Sequence, residues 1–387
     1  MQTEIEALFE KKPGTYTEAD FRLFAQFKEE INAGRIRSAE PDASSNSGWR
    51  VNTWVKKGIL LGMRLGTTVD MSIDINRQPY LDKATWPVKK FTPDNHNYQF
   101  LDLDIAPGTK AGNIIFEVKE PNGGRAYVFT YELRARNITN GKARVKGVNS
   151  SDLVWLVMPD RFSNGDTTND RVAGYSDQLV DRKNLYAHHG GDFQGISDHL
   201  DYLKSWGVTT VWMTPVVEND MPMEFEGDHY LSGFHGYWFT DHYAIDKRYG
   251  GMEGYRKLID DIHGKGMKII QDAVYNHVGI EHWFVKDEPM KDWLNHWPRY
   301  QPSNHREELF TDPYASQKEK EIMIGGWFTP NLPDLNTRNP YMQRYLIQHA
   351  LWTTEFFGID GWRLDVPTEI DDADFWREFR RRCRAVR

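Results

Sequence analysis

The second half of the chain alternates apolar segments with helical segments, and this alternation restricts the possible folds more than any other feature. Four segments are predicted strands: LVWLVM (153–158), VTTVWM (208–213), MKIIQDA (267–273) and IDGWRLD (359–365). The first is a continuous apolar run, which is typical of a strand buried on both faces. Helical patterns separate the strands, and the third helix begins at Asn339-Pro340 and runs to Gly358. Repeated strand–helix units predict an α/β fold with a parallel sheet or barrel.

The number of predicted strands is half of what a closed barrel requires, because a (β/α)8 barrel has eight. We therefore predict a partial TIM barrel, made of the first four strand–helix units, over residues 151–387.

Residues 93–150 have a different character and form a separate predicted domain. YQFLDLDI, NIIFEVKE and RAYVFTYELRAR alternate apolar and polar residues, and the turns APGTKAG and PNGG separate them. This pattern predicts a short antiparallel meander of three strands.

Residues 1–92 open with helical signals. Thr17 and Asp20 can form a capping box ahead of phenylalanines at helical spacing, and this helix should end before Gly34. A polar loop over 41–48 and a second helix from about Val51 to Leu65 are predicted to follow.

Composition excludes several classes of protein. The 387 residues carry a formal net charge of −8, so nonspecific binding to nucleic-acid phosphates is not expected. A single cysteine, Cys383, excludes an internal disulfide and a multi-cysteine metal site. No apolar run approaches the roughly 18–20 residues of a membrane span, and the first residues lack the apolar centre of a signal peptide. We expect a soluble, cytoplasmic chain with no nucleic-acid or membrane partner.

Charged side chains stand at the ends of the third and fourth predicted strands. Asp272, Asn276 and His277 follow one strand, while Arg363 and Asp365 are two residues apart on one face of the other. In a barrel these strand ends meet at one mouth. An arginine keeps a neighbouring carboxylate ionised, as a nucleophilic carboxylate must be. The alternative is that Asp272 and Arg363 only form a buried salt bridge.

A second cluster of oxygen-bearing residues follows the first predicted strand. Its members lie on loops bent by glycine: Asn164, Asp166, Asn169, Asp170, Gly190 and Asp192. Hard oxygen donors of this kind suit Ca²⁺, which takes 6–8 oxygen ligands. The alternative is an ordinary polar turn.

The two strand-end segments DAVYNH and GWRLDVPTE resemble the first and second signature regions of the α-amylase family of glycoside hydrolases. LPDLN (332–336) is similar to a further signature of that family, and MPDRFSNGD and GFHGYWFTDHYAID resemble its neopullulanase and cyclomaltodextrinase members. The resemblance covers about residues 98–387. It implies a (β/α)8 barrel with a small domain inserted at about 278–331, and a preceding β-sandwich of which the meander is a remnant.

The same resemblance implies roles for individual residues. Asp365 resembles the nucleophile of a retaining α-glucan hydrolase, oriented by Arg363, and Asp272 and His277 would hold hydroxyl groups of the sugar that is cleaved. Tyr237 would stack under that sugar. Glu369 stands where the family has a substrate-binding residue, and the cluster from Asn164 to Asp192 resembles a structural calcium loop of neopullulanase-like enzymes. Maltodextrin, pullulan and cyclodextrin are the implied substrates.

Two acidic residues of the family are not matched in this sequence. A retaining enzyme needs a second carboxyl group about 5–5.5 Å from the nucleophile. In the family this glutamate follows the fifth strand, and a further aspartate follows the seventh. We therefore expect the 387-residue chain to be inactive, and the oligomeric state stays open.

Residues 1–92 resemble a different family. RIRSAEPD, GWRVNTWVKKGILLGMRLG and the segment up to VKKF are similar to the amino-terminal part of tetrahydrodipicolinate N-succinyltransferase. We therefore expect a chimera joined near residue 92. The alternative functions are a fragment of a succinyl-coenzyme A-dependent N-acyltransferase, or a non-catalytic α-glucan-binding product. A periplasmic location is open for the parent hydrolase.

Overall fold

The chain forms two units, Met1–Ala135 and Arg136–Arg387. The computed structural model describes residues 1–11, 16–32, 35–37, 39–41, 49–55, 57, 88–103, 105, 109–119, 125–135, 145–370 and 372–385.

Two helices, α1 (Gln2–Phe9) and α2 (Glu18–Asn32), supply most of the core of the first unit. Helix α2 begins where the sequence predicts. The backbone N and Oγ1 of Thr17 donate to the Asp20 carboxylate at 2.7 and 2.8 Å, which fixes the first turn. The core side chains are apolar and come from both helices and the segment after them: Ile5, Leu8, Phe24, Phe27 and Val55. The predicted stop at Gly34 lies outside the described residues.

Three antiparallel strand pairs occur among the described residues of the first unit. They are β1 (Ala39–Pro41) with β2 (Trp49–Val51), β3 (Val88–Phe91) with β4 (Phe100–Leu103), and β5 (Gly112–Lys119) with β6 (Arg125–Leu133). Val51 therefore ends a strand and does not begin the predicted helix, because it pairs with Ala39. Helical backbone occurs at 53–55 and 57, whereas 42–48 and 58–65 lie outside the described residues.

The structure corrects part of the predicted meander. Strands β5 and β6 form the hairpin that the alternation predicts. The first predicted strand contains β4, which pairs with β3 across the predicted domain boundary at residue 92. Packing joins β4 to the hairpin, because Leu101 and Leu103 contact the buried Ile114. The boundary at 92 and the identity of a sandwich remnant stay predictions.

A four-stranded parallel sheet organises the second unit. Its strands are β7 (Val154–Val157), β8 (Thr210–Met213), β13 (Lys268–Ala273) and β14 (Gly361–Leu364), and their spatial order is their chain order. All four predicted strands are confirmed. Smaller strands precede β13: β9 (Val217–Glu218) pairs with β12 (Asp241–Ile245), and β10 (Glu224–Glu226) forms a hairpin with β11 (His229–Leu231).

The helices of the second unit fall mostly between those strands. They are α3 (Pro159–Phe162), α4 (Phe193–Asp198), α5 (Leu200–Ser205), α6 (Gly251–Gly264), α7 (Trp283–Lys286), α8 (Gln317–Gly325), α9 (Pro340–Phe357) and α10 (Ala373–Ala385), with 3-10 helices at Lys247–Tyr249 and Glu307–Phe310. The single helix predicted before β8 is two short ones that meet at His199. Helix α9 begins and ends as predicted: the Asn339 side chain caps it, and Gly358 closes it with φ 79°.

Strand β7 departs from the prediction that both of its faces are buried. Leu153 is 49% exposed, Trp155 43% and Leu156 49%. The prediction is wrong because β7 is an outer strand, hydrogen-bonded only to β8 among the described strands. At the opposite edge, a groove of about 890 Å³ runs beside β14 and is lined by Ile270, Trp362 and Phe379 among others.

No helix in the described part of the chain combines the length and apolarity that a bilayer crossing requires.

Three buried histidines contact one another beside the sheet. His242 Nδ1 lies 3.2 Å from His282 Nε2, and the His242 ring lies 5.5 Å from that of His349. The Tyr275 hydroxyl is 2.9 Å from His349 Nδ1. Burial lowers the pKa of His282 and His349 to about 3, and lowers the pKa of His242 well below its ordinary value. All three are therefore neutral in the folded protein at neutral pH.

These histidines predict a loss of stability in mild acid. The unfolded chain binds protons at an ordinary pKa of about 6.5, so stability is complete above that pH and is lost as the pH falls below it. His349 alone contributes a loss of about 2 kcal/mol between pH 8 and pH 5. We expect His349→Gln to reduce the pH dependence of the melting temperature, whereas His96→Gln, a change at an exposed histidine, should match the parent. Equal shifts in all three proteins would contradict this assignment.

Candidate active site

The pairing of β13 with β14 places the charged strand-end residues side by side. Asp272 is opposite Arg363 in the parallel register, and Asp365 follows two positions later with its backbone N bonded to the Ala273 carbonyl at 3.0 Å. The neighbouring Gln271 points to the other face of the sheet, where its side chain accepts a hydrogen bond from Tyr255 of α6. Asp272 and Arg363 therefore lie on the face turned away from α6.

One guanidinium nitrogen joins the two carboxylates. Arg363 Nη1 donates to both oxygens of Asp272 at 3.0 and 3.1 Å, and to Asp365 Oδ1 at 2.6 Å. The salt bridge between Asp272 and Arg363 is present, but it is not isolated, because the same nitrogen holds Asp365.

Two aromatic side chains complete the surroundings of Asp272. Trp212 Nε1 and the Tyr237 hydroxyl donate to Asp272 Oδ2 at 3.2 and 3.0 Å. Burial raises the pKa of Asp272; Arg363 opposes this shift, while the carboxylate of Asp365 adds to it. Burial also raises the pKa of the Tyr237 hydroxyl above its ordinary value. Trp212 was not predicted, although its place on β8, on the same face as Asp272, was a usable signal.

His277 is buried beside this group. Neither of its ring nitrogens forms a hydrogen bond of ordinary geometry with the described residues, although the Tyr237 backbone is close enough to raise the His277 pKa. Burial lowers its pKa to about 4, although the nearby Asp365 carboxylate acts to raise it. The LPDLN segment fixes the backbone here, because Leu335 N and Val278 N bond to the Asn276 and Pro333 carbonyls. Unpaired buried nitrogen atoms of this kind call for a ligand.

The backbone immediately after Asp365 is strained. Val366 has φ 33°, a conformation that a β-branched residue rarely adopts. Such outliers concentrate at functional sites. No residue pattern in this segment predicts that conformation.

Glu369 is buried, and its carboxylate contacts Thr368 and His305. Its Oε2 accepts from Thr368 Oγ1 at 2.9 Å, and its Oε1 lies 4.0 Å from His305 Nδ1. The Thr368 hydroxyl also contacts Glu307 Oε1 at 3.0 Å, so the loop after β14 meets the segment 278–331 here. Burial raises the pKa of Glu369.

Part of the predicted calcium cluster converges. Asn164 Nδ2 bonds to Asp170 Oδ1 at 2.6 Å, and a side chain at Gly190 would place its Cβ 2.6 Å from that same oxygen. Asn164 Oδ1 and Asn169 Oδ1 are buried and unpaired within the described residues.

Two other members of that cluster accept hydrogen bonds from backbone amides. The Asp192 carboxylate accepts from the backbone N of Gly195 at 2.6 Å and of Asp166 at 2.7 Å, and caps α4. Asp166 Oδ1 accepts from both the backbone N and the hydroxyl of Thr168. No group of three or more His, Cys, Asp or Glu side chains able to hold a metal occurs in the described residues. Any cation here would depend on amide and backbone oxygens as well.

Two protein families match the chain. Residues 156–382 match the alpha amylase catalytic domain, and residues 1–65 match the amino-terminal domain of tetrahydrodipicolinate N-succinyltransferase. Both predicted resemblances are therefore confirmed.

Several curated relatives are similar to this chain. Neopullulanase 2 from Thermoactinomyces vulgaris is 28% identical over 305 residues, which are 76% of this chain and 48% of that protein. A cyclomaltodextrinase from Thermoanaerobacter pseudethanolicus is 33% identical over 62% of this chain and 38% of its own length. The chain thus spans less than half the length of these relatives.

Several solved structures are similar to part of this chain. The cyclomaltodextrin glucanotransferase CldA superposes with a TM-score of 0.51 at 22% identity, over 61% of this chain and 48% of that one. An Anoxybacillus alpha-amylase is 34% identical over 61% of this chain and 45% of its own, with a TM-score of 0.49. The parallel sheet is thus of the (β/α)8-barrel type. Through residues 156–382, the chain belongs to the α-amylase family of glycoside hydrolases.

Proposed function

We propose that the Arg363 cluster is the nucleophile side of a retaining α-glucan hydrolase. The observation that carries this proposal is the single guanidinium nitrogen shared by Asp272 and Asp365. Asp365 would attack the anomeric carbon of an α-linked glucose unit while the bond to the departing glycosidic oxygen breaks. The substrates we propose are maltodextrin, pullulan or cyclodextrin, in keeping with relatives named neopullulanase and cyclomaltodextrinase.

The neighbouring side chains would orient the sugar. His277 is neutral because burial lowers its pKa to about 4, so it can both donate to and accept from sugar hydroxyls. Asp272 accepts from Arg363, Trp212 and Tyr237, which holds its carboxylate in one orientation. The Tyr237 ring, fixed by that bond, would pack against the apolar face of the sugar.

A second carboxyl group must protonate the departing oxygen. Asp272 is unsuited because both of its oxygens accept from Arg363. Glu369 is unsuited because it bonds to Thr368 and faces His305. We propose that neither residue supplies the acid.

We also propose that the described parallel sheet is the first half of a barrel. The exposed apolar β7 and the groove beside β14 support that proposal, since a closed barrel would cover both. A cytoplasmic location stays a prediction.

We also propose that the loop after β7 holds a structural Ca²⁺. The oxygens available are Asn164 Oδ1, Asn169 Oδ1 and the Asp170 carboxylate, beside Gly190, where a side chain does not fit. Oxygen ligands of this kind suit a hard cation. When bound, the ion would neutralise Asp170 and tie together two loops at the mouth of the site.

The nucleophile can be tested separately from the acid. Fluoride leaves without protonation, so 5-fluoro-α-D-glucosyl fluoride should form a slowly hydrolysed ester on Asp365 even without a general acid. We expect mass spectrometry to find one fluoroglucosyl group on the peptide containing Asp365, and none in Asp365→Asn. Reducing-sugar release from maltoheptaose by the 387-residue chain should not exceed that of Asp365→Ala. Labelling of another residue, or no labelling of a folded chain, would refute the assigned nucleophile.

Calcium should stabilise the second unit. A ligand that binds only the folded state at about 100 times its Kd contributes about 2.7 kcal/mol. We expect millimolar Ca²⁺ to raise the melting temperature relative to EDTA, with a much smaller effect of Ca²⁺ on Asp170→Asn. Asp228→Asn, a change at a highly exposed carboxylate, is the matched control and should respond as the parent does. An identical response of the parent and Asp170→Asn would rule out a cation at this loop.

A further inference from the structure

The hairpin of β10 and β11 has its large apolar side chains on the outside. Phe225 and Tyr230 are directly opposite each other in the antiparallel register, and they share one face. They are 59% and 65% exposed, and their ring centroids lie 5.2 Å apart with planes at 60°. A strand pair with one solvated face normally presents polar side chains there. The reversed arrangement places two aromatic rings side by side in water.

The other face of the hairpin holds it against the protein. Leu231 packs on a buried cluster formed by Met221, Trp238 and Leu332. Glu224, opposite Leu231 in the register, is half-buried; burial raises its pKa, and Glu281 adds to the shift. The outward rings are therefore carried by an anchored element.

The loop at residue 186 fastens the tip and the base of the hairpin. The His229 ring packs against Tyr186 with centroids 4.2 Å apart and planes tilted by 33°. Ser232 N, just after β11, donates to the Tyr186 carbonyl at 2.8 Å. The aromatic pair is thus held in place before any ligand arrives, which limits the entropy lost on binding.

The same cluster connects the hairpin to the active site. Trp238 is adjacent in sequence to Tyr237, whose hydroxyl bonds to Asp272. Phe328 packs on the cluster, and its ring lies 5.1 Å from that of His277. The cluster therefore lies between the hairpin and His277, and the neighbour of Trp238 in sequence, Tyr237, contacts Asp272.

We propose that Phe225 and Tyr230 form an aromatic platform that binds an α-glucan chain beyond the sugar held at Asp365. The apolar C–H face of a glucose ring matches a flat aromatic side chain, and the highly exposed Asp228 carboxylate at the tip can accept hydrogen bonds from its hydroxyls. This proposal rests on the proposed function, because it takes the substrate class from there.

The size of the pair favours a sugar over a protein. Two aromatic side chains bury roughly 300–500 Å² together, whereas stable protein interfaces bury at least about 1,200 Å². One or two glucose units are of the right size to cover the two rings.

The test separates long-chain binding from chemistry at Asp365. In an Asp365→Asn background, which prevents turnover, Phe225→Ser/Tyr230→Ser should weaken the Kd for maltoheptaose about tenfold and reduce retardation in amylopectin gels. Phe225→Tyr/Tyr230→Phe should keep the parent's affinity. Tyr314→Ser removes a 93%-exposed ring elsewhere and should leave binding unchanged. Circular dichroism and melting curves confirm that each variant folds.

The outcomes distinguish this proposal from the proposed function. With Asp365 restored, the serine double variant should still be labelled by the monosaccharide probe at the parent's rate, because that probe does not reach the hairpin. Unchanged maltoheptaose affinity and gel retardation in the double variant would overturn the platform even where labelling succeeds. Absence of labelling in the parent would count against the nucleophile and not against the hairpin, whose binding is measured without turnover.

Discussion

The contact of Arg363 with two carboxylates is the interaction on which the site depends. Asp272 and Asp365 both accept from one nitrogen atom, and the Asp272 side chain is fully buried. Burial and the neighbouring Asp365 carboxylate both raise the pKa of Asp272, and the Arg363 guanidinium opposes that rise. The parallel register of β13 and β14 holds the three groups together, so the backbone pairing of the sheet determines the electrostatics of the site.

Packing next to the sheet extends this control outward. The LPDLN segment fixes the backbone around His277, and Phe328 covers its ring. Trp238, in the same apolar cluster, stands beside Tyr237 and under the hairpin that presents Phe225 and Tyr230. One small cluster thus orients groups at the sugar to be cleaved and supports rings farther along the rim.

The sequence predicted features that depend on local chemistry. The Asn339 cap, the Gly358 stop and the adjacency of Asp272 and Arg363 follow from residue type and spacing, and the structure contains all three. The sequence could not predict features that depend on residues distant in the chain. The exposure of Trp155 depends on which strands lie beside β7, and the pairing of β3 with β4 crosses a change in composition. Likewise, the spacing of the oxygen-bearing residues could not show that the Asp192 carboxylate accepts hydrogen bonds from backbone amides.

A double-mutant cycle on β13 and β14 measures whether Arg363 and Asp272 are energetically coupled. The free energy of unfolding would be measured in urea for the parent, Asp272→Asn, Arg363→Met and the double variant. Removing Arg363 leaves buried Asp272 uncompensated and should lower stability by about 3 kcal/mol. Because the double variant no longer buries an unpaired charge, it should recover a clear part of that loss. If the stability losses of the two single variants sum to that of the double variant within about 0.5 kcal/mol, the two residues are not coupled. That result would contradict the dependence of the site on the Arg363 contact.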